Sequence, residues 1–245
     1  MRIGRFAEFL ETQGVDAYLV TREPNILYYA RTISEGVLIV SPDLNPVLLA
    51  PKLNLFIAQD QARGCDVRPY TREDRLEQLT EILDNVKPTS IGFDELSLRD
   101  YQELQEKLNG VELVEKPELV WGMRKVKDEE EQGLMKQAGE LSDIGMEAVR
   151  ECLRDGIREY EVAAEAAYAM RKEGAVDIAF PFIVASGPRS AYPHAGVSER
   201  KIRKGDFVTI DIGATCNGYL SDNTRTFVIG SPSERQRSVY ETVLE

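Results

Sequence analysis

The stretch "DFVTIDIGATCNGYLSDNTRT", Asp206–Thr226, decides how the second half of the chain folds. Val208, Ile210 and Ile212 alternate with Phe207, Thr209, Asp211 and Gly213, as a strand with one buried face requires. Asn217-Gly218 supplies the two residues tolerant of positive φ that a tight two-residue hairpin prefers. With those two at the centre of the turn, Cys216 faces Tyr219 and Asp222 falls opposite Gly213. Asp211 and Asp222 then share one face as diagonal neighbours, with Cβ atoms about 7–8 Å apart or somewhat less. A one-residue bulge in either arm would reverse that parity.

Two ionised carboxylates converging on one face repel. One must take a proton at raised pKa, or a cation must sit between them. Hard oxygen donors suit a divalent metal. A bland alternative stands beside these: Asp222 serves the local turn chemistry and Asp211 finishes a strand. The hairpin alone leaves all three open.

The rest of the chain bounds the choice. It has 245 residues and 42% hydrophobic content, enough for two domains with real cores. Its 30 basic and 42 acidic residues give a net charge of −12, which argues against a nucleic-acid surface and against an anionic membrane as partner. The opening "MRIGRFAEFLETQG" mixes charges into an amphipathic helical pattern, unlike a signal peptide or a membrane span, so a cytoplasmic protein is expected. Cys65, Cys152 and Cys216 are odd in number and widely spaced, with no zinc-finger or CxxC pattern.

Residues 1–122 alternate helical and extended signals. A helix ends at Gly14, and "DAYLV" reads as a strand. "GVLIV" and "PVLLA" are strands around the turn "SPDLNP", and "KLNLFIAQDQARG" is a helix closing at a glycine. "TREDRLEQLTEILDNV", "SIGFDE", "LSLRDYQELQEKLNG" and "VELVE" continue the alternation, giving an α/β domain with a mixed or mainly parallel sheet. A boundary is expected in "EKPELVWGMRKVKDEEE", where proline, the only tryptophan and a charge run interrupt the pattern. Residues 123–245 then read as two long helices followed by sheet, an α+β arrangement. Leu134, Ala138, Leu141, Gly145, Ala148 and Cys152 line one face of the first helix, with small residues where another backbone could approach. "REYEVAAEAAYAMRKEG" is the second, closed by Gly174.

Between the helices and the hairpin stands His194, the only histidine. A lone histidine is more often structural than catalytic, but this one follows Pro193 in a loop directly before the acidic hairpin. "SGPRSAYPHA", "RKIRKGDFVTIDIGA" and "GYLSDNTRT" together resemble the pita-bread metallopeptidases, in the Xaa-Pro dipeptidase (prolidase) and aminopeptidase P branch. "MRKVKDEEEQGLMKQAG" resembles the entry to that catalytic domain. "DAYLVTREPNILYYA" resembles the creatinase-type N-terminal domain of the same branch, so the likeness spans nearly the whole chain.

The resemblance implies a creatinase/prolidase-like α/β domain followed by the first half of an α+β pita-bread domain. It implies Asp211 and Asp222 as metal ligands, Thr224 as a residue steadying the ligands from behind, and His194 as a non-ligand that hydrogen-bonds the substrate near the scissile peptide. Two divalent ions (manganese, cobalt or zinc) would activate water and polarise the carbonyl of a proline-containing peptide; a homodimer is compatible with this reading. An Xaa-Pro bond has no amide hydrogen and a restricted φ, so a dedicated pocket suits it.

The remaining ligands of that family, a histidine and two glutamates, have no counterpart here. Glu234, Glu241 and Glu245 do not match their motifs. The expectation is therefore a fragment with part of the site, inactive and weakly metal-binding by itself. Two other readings are a creatinase-like hydrolase of a small guanidino compound, against which both aspartates count, and a non-catalytic module binding basic proteins, which the negative charge would suit.

Overall fold

The computed structural model describes residues 2–244; Glu245 lies outside them. The chain divides into two compact units, Met1–Val126 and Lys127–Glu245.

In the first unit the elements run α1 (Arg2–Thr12), β1 (Ala17–Val20), α2 (Glu23–Ala30), β2 (Val37–Ser41), β3 (Leu44–Pro51), α3 (Leu55–Gln61), β4 (Asp66–Tyr70), α4 (Arg75–Asp84), β5 (Ser90–Phe93), α5 (Leu98–Lys107), β6 (Glu112–Glu115) and α6 (Pro117–Lys125). The strands form one sheet in the order β4-β3-β2-β1-β5-β6. It is mixed: β1 is antiparallel to β2 and β2 to β3, while the β3–β4, β1–β5 and β5–β6 pairs are parallel. Alternate strand residues feed two cores. Tyr18, Val20, Leu38, Val40 and Leu48 pack with Phe6 and Leu10 of α1 and Leu119 and Val120 of α6. Leu19, Val37, Ile39, Val47 and Leu49 pack with Leu79, Ile82 and Leu83 of α4 and Leu104 of α5. Burial on both faces explains why these strands read as unbroken apolar runs.

Three elements depart from the sequence reading. "EPNILYYA" is α2, with Pro24 in its first turn, where a missing N–H costs nothing, and with apolar residues buried nearly all round, so no amphipathic stripe announces it. "DVRPY" is β4, an edge strand that admits Pro69 and charged residues and so lacks an apolar signature. "KPELVWGMRK", expected as a break, is largely α6, again started by a proline.

The second unit contains α7 (Glu129–Cys152), α8 (Glu159–Lys172), β7 (Asp177–Ile178), β8 (Ile183–Ser186), β9 (Phe207–Ile212), β10 (Ala214–Cys216), β11 (Tyr219–Leu220), β12 (Asn223–Val228) and α9 (Glu234–Leu244). The strands form two small sheets, β12-β9-β8 and β11-β10-β7. Helix α7 starts at a capping box in which the Asp128 side chain accepts from the Glu131 N–H and the Glu131 carboxylate accepts from the Asp128 N–H. Gly145 on α7 admits side chains, not the backbone expected there: a Cβ would meet Met170 Cγ of α8 at 2.8 Å and Ile212 Cδ1 of β9 at 3.1 Å. That space seats Ile212 in the core and so commits its neighbour Asp211 to the opposite face of β9.

Candidate metal centre

The hairpin forms around Asn217 (φ 47°) and Gly218 (φ 81°), both in the left-handed region as a tight primed turn requires. Cys216 pairs with Tyr219 and Thr215 with Leu220, and farther out Ile212 pairs with Asn223 and Asp211 with Thr224. The register is unchanged from one end to the other, so Asp222 falls opposite Gly213, two residues along from Asp211 on the same face.

The arms nevertheless belong to two sheets, a division the alternation pattern conceals. At Gly213 the first arm passes from the β12-β9-β8 sheet to the β11-β10-β7 sheet, and Ala179 N–H donates to the Gly213 carbonyl at 2.9 Å. A Cβ at Gly213 would stand 2.1 Å from the Ser221 carbonyl oxygen and 2.8 Å from Phe180 Cε1. Ser221 stitches the junction: its N–H donates to the Ala214 carbonyl, and its hydroxyl accepts from the Ala214 N–H at 3.0 Å. Asn223 Nδ2 donates to Asp143 Oδ1 of α7 at 2.9 Å, holding the second arm from the far side of Asp222.

The alternation of β9 sends Val208, Ile210 and Ile212 into the core and leaves Asp211 half-buried on the other face. Asp222 is exposed beside it. Lost hydration, then the charge of Asp211 and a hydrogen bond shared with it, hold the Asp222 carboxyl above the usual carboxylate range. The side chains therefore converge. Directly across the strand pair, the Thr224 hydroxyl donates to Asp211 Oδ1 at 2.8 Å. Thr224 thus steadies Asp211, the residue opposite it, and not its sequence neighbour Asp222.

His194 is exposed on the loop after β8 and makes no hydrogen bond, to this pair or elsewhere, among the described residues. That loop runs along the free edge of β8: Val184 N–H donates to the Gly196 carbonyl at 3.2 Å, while on its other side β8 pairs Ile183 with Asp211. The strand next to Asp211 therefore also carries the anchor of the His194 loop.

Glu159, at the start of α8, was not singled out from sequence. It is fully buried, and its carboxylate accepts from Ser186 N–H (2.9 Å), the Ser186 hydroxyl (2.7 Å), Arg189 Nε (3.0 Å) and the Ser198 hydroxyl (2.6 Å). A glutamate in a first helical turn ordinarily reads as a charge matched to the helix dipole. Its donors lie far along the chain, so only the fold reveals them.

The aspartate pair fits a divalent cation. Two oxygen-donor carboxylates face each other, and lost hydration, then the charge of Asp211, hold the Asp222 carboxyl above its usual range. Among the described residues, no group of three or more His, Cys, Asp or Glu is gathered to hold a metal. No helix among them is long and apolar enough to cross a membrane.

Comparison with known proteins matches residues 2–126 to the creatinase/prolidase N-terminal domain and residues 133–245 to metallopeptidase family M24. The chain is 35% identical over 246 residues to the Xaa-Pro dipeptidase of Pyrococcus furiosus, covering all of this chain and 69% of that protein. Among solved structures, the prolidase of Pyrococcus horikoshii superposes with a TM-score of 0.90 at 33% identity, over 99% of this chain and 69% of that one. The Xaa-Pro dipeptidase of Bacillus anthracis superposes with a TM-score of 0.92 at 32% identity, covering 100% of this chain and 69% of that one.

Proposed function

The chain belongs to metallopeptidase family M24, joined to a creatinase/prolidase N-terminal domain, and on that premise we propose that it serves metal-dependent hydrolysis of Xaa-Pro peptide bonds, as a dipeptidase or aminopeptidase, and supplies part of the metal site. The observation that carries this reading is the convergence of Asp211 and Asp222 on one face of an unbulged hairpin.

In the proposal Asp211 and Asp222 hold divalent metal, manganese, cobalt or zinc, which when bound polarises the peptide carbonyl and makes water nucleophilic at neutral pH. Thr224 fixes the plane of the Asp211 carboxylate by occupying Oδ1, so that the carboxylate need not be ordered when metal arrives. His194, exposed and outside the acidic pair, donates an imidazole N–H to the substrate and stabilises charge developing next to the scissile bond. An Xaa-Pro bond has no amide hydrogen for an enzyme acceptor to hold, so the peptide is gripped through its carbonyl oxygens, to which an imidazole N–H can donate.

We place the protein in the cytoplasm, a reading its three free cysteines support. A homodimer is part of the proposal, and exposed Leu53 and Phe56 on the first unit are apolar surface that a second copy could cover.

The test is an Xaa-Pro dipeptide assay in manganese buffer, on this chain and on a chimera carrying the segment of the Pyrococcus furiosus relative outside the aligned part. The chimera should cleave Xaa-Pro dipeptides and lose that activity with Asp222→Asn, while the 245-residue chain should show little turnover. A folded, manganese-binding chimera that cleaves neither these dipeptides nor longer peptides beginning Xaa-Pro contradicts the proposal.

A further inference from the structure

The loop that carries His194 is closed by one buried carboxylate. Residues 187–198 leave β8 and return to the start of α8, and both of their ends meet Glu159. At the outgoing end Ser186 donates to Glu159 Oε1 twice, through its N–H and its hydroxyl. At the returning end the Ser198 hydroxyl donates to Oε2. Between them Arg189 donates to Oε2 through Nε, and its Nη2 donates to the carbonyl of Ala195, the residue next to His194, at 2.7 Å. The backbone follows the same plan, for Glu159 N–H donates to the Arg200 carbonyl and Tyr160 N–H to the Ser198 carbonyl, so the returning strand of the loop caps α8.

A fully buried carboxylate is costly unless its oxygens are satisfied, and this one has four donors, one of them the Arg189 guanidinium. All four donors, from three residues, belong to the His194 loop or its hinge Ser186. Were the carboxylate needed only to start α8, the neighbouring Glu161, which accepts from the Arg158 N–H at 2.7 Å, would suffice. The arrangement at Glu159 does something Glu161 does not: it ties the entry, the middle and the exit of one loop to a single point.

We infer that Glu159 is a positioning residue for His194, acting through Arg189 and the Ala195 carbonyl. The inference rests on the proposed role of His194 for its importance to catalysis, but not for its structural content. A substrate-facing imidazole displaced by about 1 Å can cost up to about 100-fold in rate. An exposed histidine with no hydrogen bond of its own has only its backbone to hold it in place.

His194 is the only histidine and Trp121 the only tryptophan, so each gives a single-residue NMR signal. In the labelled 245-residue chain, Glu159→Gln should shift and broaden the His194 imidazole resonance, leaving the Trp121 indole resonance of the first unit unmoved. Manganese affinity should stay within about twofold. In the chimera the same substitution should lower kcat about 10- to 100-fold with little change in KM. Arg189→Ala is the second variant, should Glu159→Gln unfold the second unit. It leaves Glu159 bonded to Ser186 and Ser198 but frees Ala195, and should disturb the His194 resonance likewise. An unchanged His194 resonance in a folded Glu159→Gln or Arg189→Ala chain overturns the inference. A disturbed resonance with an inactive wild-type chimera would uphold it and defeat the functional proposal instead.

Discussion

Two placements of aspartate, one in each unit, use the same side chain to opposite ends. Asp94, just after β5 in the first unit, is buried and surrounded by donors: Thr21 N–H (2.8 Å), the Thr21 hydroxyl (2.9 Å), Arg22 N–H (3.3 Å) and Asn25 Nδ2 (2.6 Å). It ties the end of β1 and the start of α2 to β5. Asp211 and Asp222 in the second unit have one threonine hydroxyl and each other. A carboxylate saturated by donors has no capacity left for an outside ligand, whereas two that lack donors are stabilised by whatever cation arrives. Glu159, though in the second unit, belongs with Asp94 by this criterion.

The contrast can be broken most forcefully at Asp94. Asp94→Ala should destabilise the first unit by about 3 kcal/mol, since it leaves buried amide donors unpaired. Urea unfolding followed by Trp121 fluorescence checks this, and a loss below about 1 kcal/mol would show that the donors find other partners.

Gly213→Ala comes next. Its Cβ would collide with the Ser221 carbonyl, so the junction between the two sheets must open, at a cost of about 1–3 kcal/mol to the second unit. Amide exchange at Ala214 and Ser221 should quicken while the strands of the first unit stay protected.

The smallest effects should differ in sign. Hydrogen bonds from Thr89 N–H, the Thr89 hydroxyl and Ser90 N–H hold the Asp16 carboxyl below its usual range. Its contribution to stability is therefore present above the unfolded pKa and lost as pH falls through the folded one. Asp222, raised, behaves in reverse: its contribution is present below the unfolded pKa and lost as pH rises through the folded value. Both groups are solvent-screened, so the shifts should be about a degree in Tm. Asp16→Asn should flatten the acid limb of the stability curve. Asp222→Asn should slightly raise the neutral-pH Tm of the metal-free chain. A lowered Tm would mean that Asp222 supports the fold.

What the sequence disclosed follows the same division. The hairpin register was legible because a two-residue turn and a period-two strand are local rules, and Asn217, Gly218, Ile210 and Ile212 obey both. The α/β class of the first unit was legible from its apolar strands, which left a mixed and a mainly parallel sheet both open; the pairings make it mixed. The crossing between sheets at Gly213 was not, because Ala179 and Phe180, which crowd it, are distant in sequence. Nor was Glu159, whose meaning depends on Ser186, Arg189 and Ser198. Helix α2 and strand β4 escaped because one is buried nearly all round and the other lies at an edge, so neither shows the periodicity of a half-buried element.

Whether Asp211 and Asp222 bind a cation as a pair is read by titrating manganese against the 245-residue chain and following free manganese by electron paramagnetic resonance. We expect a weak site, with Kd on the order of 10⁻⁴–10⁻³ M, lost in both Asp211→Asn and Asp222→Asn. Binding that survives both substitutions would contradict it.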